Sequence, residues 1–241
     1  MKKRRLSTIL LFAIAIFFFC DFKAYAEPIS EEKLFSNLNE AERSFEDFSC
    51  KFVTITGESG TMSKFSTMLG KSTGQSLPNE QEMFVWVKKP YLMKTKASYA
   101  DMIVKKEGED FYAYYWYPKM NTLDKAKMPR NSWPAYPSPE SELVMLKRHV
   151  EKASAYNIEK NDTGYVLTVN SSDSNRKDVY YIDDANWMIY KHLLYENDKL
   201  SMTYEWRDIQ LNTGLSDDFF EFQVPEDAKR TTRDLSKSKQ R

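Results

Sequence analysis

The chain has 241 residues, of which 41% are hydrophobic, and 35 Lys and Arg stand against 35 Asp and Glu. That length suits one well-buried domain and leaves little room for a second. The balanced charge excludes the basic face on which nucleic-acid backbone binding depends, so no nucleic-acid partner is expected.

Met1-Lys2-Lys3-Arg4-Arg5 precedes an apolar run from Leu6 to Cys20, then Ala24-Tyr25-Ala26. This order reads as a secretory signal peptide over residues 1–26, cleaved after Ala26, which implies a periplasmic protein. The run is shorter than the roughly 20 apolar residues of a membrane span. Cys20 follows Phe17-Phe18-Phe19, where a lipobox places small residues, so it belongs to the leader. The leader holds five basic residues and one acid, which leaves residues 27–241 with a net charge of −4. Cys50 is then the single cysteine, and an internal disulfide is impossible. Between Phe48 and Phe52 it reads as a small buried hydrophobe, the alternative being a bond to another chain.

Ser30 is placed as an N-cap, with Glu31 and Glu32 at the positive end of a helix dipole. Leu34, Leu38, Ala41 and Phe45 recur at helical spacing and require an apolar surface beneath them. Around Phe48 the period becomes alternating, and Cys50 with Phe52 to Thr56 gives a first strand. Residues 57–80 are rich in Ser, Thr and Gly, and a second strand is expected at 62–69. Met83 to Lys96 is the central hairpin. Met83, Val85 and Val87 alternate with Phe84 and Trp86, so both faces are apolar, and Pro90 turns the chain. Such a strand needs cover on both sides, as in a sheet that curls around its contents.

Met102 to Lys106 and Phe111 to Tyr117 follow as two more strands. Five prolines over 118–139 then predict a long loop anchored by Trp133 and Tyr136. Ser138, Pro139, Glu140 and Glu142 start a second helix, along which Leu143, Leu146 and Val150 form the apolar stripe. A lid and a permanently packed helix share this pattern. From Tyr156 the strands run 156–160, 165–170, 179–182, 187–195 and 200–210, joined by hairpin turns, with a last short strand at 219–224. No crossover helix intervenes, so the sheet is antiparallel. Residues 229–241 read as a disordered basic tail. The expected fold is α+β, mainly antiparallel β: a half-open, incomplete β-barrel of about 10–12 strands, with helices covering the concave face.

Catalytic chemistry is sparse in this sequence. His149 and His192 lie far apart with no metal-ligand spacing, and each reads as a core or solvated histidine. Gly57-Glu58-Ser59-Gly60 lacks the spacing of a nucleophile elbow. Neither an enzyme nor a cofactor is expected. Apolar lining is plentiful, with 15 Tyr, 15 Phe, 5 Trp and 11 Met, and it suits a filled core or an apolar ligand equally well.

Phe-Val-Trp-Val-Lys-Lys-Pro at 84–90, the aromatic strand ending Trp116-Tyr117-Pro118, Tyr156-Asn-Ile-Glu-Lys followed by Tyr165-Val-Leu-Thr, and the closing run Trp206 to Pro225 occur in an order that resembles the periplasmic lipoprotein carrier family, the LolA-like proteins. The resemblance spans about residues 30–228 and makes 27–228 a single carrier domain. It implies a monomer whose apolar cavity takes the acyl chains of lipoproteins or a related lipid. It further implies an inner-membrane transporter that releases this cargo and an outer-membrane acceptor. An alternative on the same fold is an envelope sensor or scaffold that acts through protein contacts. The cavity would be lined by Met83, Val85, Val87 and Lys89 and covered by Leu143, Leu146 and Val150. The family places an arginine before the central proline, bonded to the lid helix. Lys89 stands there in this chain, with fewer donors and no planar fork.

Overall fold

The computed structural model describes residues 29–57, 79–129, 133, 137–172 and 174–236. The leader, the strand expected at 62–69, Tyr136 and residues 237–241 lie outside these. Among the described residues, twelve strands form one sheet: β1 Asp47–Thr56, β2 Glu80–Lys88, β3 Leu92–Ala97, β4 Asp101–Glu107, β5 Asp110–Tyr117, β6 Thr122–Lys127, β7 Ala153–Asn161, β8 Gly164–Ser171, β9 Arg176–Asp183, β10 Ile189–Glu196, β11 Lys199–Leu211 and β12 Lys229–Asp234. Their spatial order is β12-β6-β5-β4-β3-β2-β1-β11-β10-β9-β8-β7, so the sheet is not closed. Ten of its eleven neighbouring pairs are antiparallel, and β12 runs parallel to β6.

Two helices, α1 Glu31–Ser44 and α2 Pro139–Glu151, lie on one face. Ser30 caps α1 by accepting from the Lys33 amide, and Ser138 caps α2 by accepting from the Ser141 amide. Twelve strands laid flat would span roughly 50 Å. Yet one apolar cluster joins Val85, Met93, Val104 and Ala113 of β2–β5 with Leu167, Val169, Tyr180 and Ile182 of β8 and β9, and with Leu34, Leu38, Leu143 and Leu146 of the helices. The sheet therefore curls around both helices as an open barrel.

Three expectations are corrected. The proline-bearing stretch contains β6, paired with β5 from Tyr112↔Lys127 to Tyr117↔Thr122, because the prolines at 118 and 129 fall just outside it. Residues 219–224 form no strand. Asp217–Phe220 is a 3-10 turn, and the segment from Asn212 to Ala228 runs as a strap over the convex face. Phe219 packs edge-on to Trp86 at 5.2 Å, Lys94 donates to the Phe219 carbonyl, and Phe220 is buried. The strap crosses from β11 to the far edge of the sheet, which is why its continuation can pair in parallel. That continuation is β12, so residues 229–234 are no tail. Arg233 ion-pairs with Asp124, and Thr231 donates to the same carboxylate at 2.7 Å.

Candidate functional site

Helix α2 lies between Trp133 and the edge strand β7 in the chain. Trp133 stacks on Phe111 with ring centroids 6.1 Å apart and donates to Glu140 at 3.0 Å. Glu142, Leu146 and His149 recur at i, i+4 and i+7, so they share the face of α2 turned toward the sheet. Leu146 is fully buried and Leu143 nearly so. Toward α1, Lys147 donates to Asn39 at 2.6 Å.

The polar partners on this face form one cluster. On β9 and β10, His192 stands opposite Tyr180, with the rings stacked at 4.2 Å, and Asp178 is the diagonal neighbour. His192 Nε2 lies 2.8 Å from Asp178 Oδ1, and its Nδ1 lies 2.9 Å from Glu142 Oε1. Glu142 and His192 are each 1% exposed. Arg176 donates twice to Asp178, from Nε to Oδ2 and from a terminal nitrogen to Oδ1, both at 2.8 Å. His149 sits over the cluster, 2.5 Å from the Tyr180 hydroxyl. Burial alone would raise the Asp178 carboxyl, but hydrogen bonds from His192 and Arg176 outweigh it and hold the pKa at about 2. For His192, burial opposes the cation, and the contacts with Asp178 and Glu142 outweigh it, so its pKa is raised. His149 moves the other way, lowered by burial and by the Arg176 charge.

A cleft opens between the two helices and the sheet, lined by Leu38 and Glu42 of α1, Phe48, Pro139, Glu142 and Leu143 of α2, Trp187, Met188, Ile189 and Trp206. Its empty space is about 340 Å³, part of it open to solvent.

Of the residues singled out from sequence, Leu143 lines this cleft. Val85, Val87 and Leu146 belong to the apolar cluster beneath, and Met83 and Val150 pack against it partly buried. Lys89 does face the helices, but its partner is α1. Its ammonium bonds to the Glu42 carbonyl, lies 2.9 Å from the Glu42 carboxylate and sits 4.0 Å above the Phe45 ring. Of the two histidines read as core or solvated, His192 is fully enclosed and His149 is half-buried. Their assembly with Glu142 and Asp178 was not visible in the sequence, because four residues from three elements meet only in the folded sheet. Among the described residues, no group of three His, Cys, Asp or Glu side chains is arranged to hold a metal ion, and no helix is long and apolar enough to cross a membrane.

No family model and no curated protein matches the chain. Among solved structures, the crystal structure of MucB in complex with MucA(peri) is similar at a TM-score of 0.41 and 12% identity, over 80% of this chain and 60% of that one. The crystal structure of MucB is similar at a TM-score of 0.40 and 13% identity, over 79% and 62%. The chain thus spans about three fifths of the length of these structures.

Proposed function

We propose that this protein is a periplasmic carrier that takes the acyl chains of a lipoprotein, or of a related lipid, into the cleft beneath α2 and shuttles them between the inner and outer membranes. The observation that supports it most is an apolar cleft roofed by a helix whose attachment to the sheet is partly polar. Burying an acyl chain contributes about 0.8 kcal/mol per CH₂, so an open pocket would retain a long chain too firmly to release it. A closed resting state lowers the apparent affinity by the fraction of molecules that are open. The Glu142–His192 and Lys147–Asn39 contacts are of the kind that opening would break. Leader cleavage, an inner-membrane loading partner and an outer-membrane acceptor complete this reading, and binding rather than catalysis is its chemistry.

The second reading, a sensor or scaffold, draws on two observations. The cleft is small, and β7 is a nine-residue edge strand with most residues exposed, open to pairing with another chain. Native mass spectrometry of the protein purified from the cell envelope without detergent separates the two. A bound acylated peptide supports the carrier, and a phospholipid or glycolipid keeps the mechanism while changing the cargo. An empty protein that also refuses added acylated peptide favours the sensor or scaffold.

A further inference from the structure

The wall of the cleft holds an acid with one oxygen to spare. Both carboxylate oxygens of Glu142 are buried. Oε1 lies 2.9 Å from His192 Nδ1, and Oε2 meets no donor. A buried carboxylate oxygen in this condition is unfavourable until a donor reaches it. Around it the wall is apolar, from Leu38, Phe48, Leu143 and Trp206.

The other charges of the wall have the same sign. Glu42 lines the cleft and is held by Lys89, and among the described residues no Lys or Arg lines it. Glu140, in the first turn of α2, accepts from Trp133. Its pKa is raised by burial and then by the Glu42 charge. An anionic headgroup brought here would meet two carboxylates, Glu42 and Glu142. An N–H group would meet a vacant acceptor.

We propose that the ligand of this cleft carries an N–H donor, an amide or an amine, directly beside its acyl chain, and that Glu142 Oε2 accepts from it. The assignment rests on the acyl-binding reading above and narrows it. Simple fatty acids and anionic ester lipids lack the donor and add repulsion, whereas an N-acylated peptide or an acylated amine supplies it. Selection then comes from one buried acceptor, and the apolar walls serve any chain alike.

The test compares three twelve-carbon probes below their micelle concentrations: N-dodecylacetamide, dodecyl acetate and laurate. Binding to the purified protein is followed by tryptophan fluorescence, since Trp187 and Trp206 line the cleft. The amide is expected to bind about tenfold more tightly than the ester, the usual worth of a hydrogen bond to a charged acceptor, with laurate weakest. In Glu142→Gln the amide-to-ester ratio is expected to fall several-fold while the ester still binds. Equal affinity for amide and ester in the unaltered protein overturns the N–H assignment and leaves the acyl-binding reading standing, as does a ratio that survives Glu142→Gln. If none of the three probes binds, both fail. Should the variant not fold, the ratio in the unaltered protein decides alone.

Discussion

Glu142 Oε1 and His192 Nδ1 are 2.9 Å apart, and the helix that carries one and the strand that carries the other bury both side chains to 1% exposure. This is the polar centre of the α2–sheet contact. Removing one partner leaves the other buried and uncompensated, which typically costs about 3–5 kcal/mol. His192→Leu is therefore expected to lower the unfolding free energy by about that amount, measured by urea titration at pH 6. The double variant with Glu142→Leu should recover much of the loss.

The same cluster sets a pH dependence with two limbs. His192 has a folded pKa raised above its unfolded value near 6.5, so its contribution is complete below that value and is lost as pH rises through the raised one. His149 has a lowered pKa, so its contribution is complete above 6.5 and is lost as pH falls toward the lowered value. Asp178, held at about 2, adds a loss only below about pH 4. Thermal melts are expected to be highest near neutrality. His192→Gln should abolish the alkaline limb and leave the acidic one, and His149→Gln should do the reverse.

Lys89 fastens the end of α1 to the hairpin of β2 and β3 through Glu42 and Phe45. Its side chain is 27% exposed, so solvent weakens the ion pair. Lys89→Met is expected to destabilise by about 1 kcal/mol. Lys89→Arg should lose less, because a guanidinium keeps the charge and the stacking on Phe45. Chemical denaturation of the two variants side by side checks the order.

Asp47 holds the start of the strap. It is buried and accepts from the Thr213 hydroxyl at 2.8 Å and from the amides of Thr213, Gly214 and Leu215 at 2.7, 2.8 and 3.2 Å. Burial would raise its carboxyl, and these donors together bring it below the usual value. Asp47→Ala removes the charged acceptor shared by the Thr213, Gly214 and Leu215 amides and is expected to cost about 1–3 kcal/mol. Hydrogen exchange should quicken first at residues 213–220 and then at β12, the strap's far end.

Much of the architecture was legible in the sequence. Ser30 and Ser138 mark both helix starts, and the alternation in Met83 to Lys96 and from Tyr156 to Gln210 fixes most strands and their antiparallel pairing. β6 was hidden because Thr-Leu-Asp-Lys-Ala-Lys has little β-branched or aromatic content and sits among prolines. β12 was hidden for a related reason: Lys-Arg-Thr-Thr-Arg-Asp has no apolar face, and its pairing depends on Asp124, a hundred residues earlier. The Phe219 to Val224 aromatics suggested a strand. They instead anchor an irregular strap, since Trp86 and Lys94 offer ring and cation contacts that need no ladder. The burial of Leu143 and Leu146 followed from helical spacing. Glu142 did not, because a first-turn acid is ordinarily explained by the helix dipole, and its burial depends on where His192 falls in the register of β9 and β10.

Whether α2 must leave α1 for an acyl chain to enter is tested by locking the pair. Asn39 and Lys147 touch across the two helices, and Cys50 is 5% exposed with its thiol pushed up by burial, so it stays unreactive. In the Asn39→Cys, Lys147→Cys protein, uptake of a fluorescent acylated peptide is measured before and after a short, reducible cross-link. Uptake is expected to fall at least about tenfold when the helices are joined, as expected if the binding-competent open state is removed, and to return on reduction. Undiminished uptake by the fully cross-linked protein would contradict a lid at α2 and place the ligand elsewhere on the molecule.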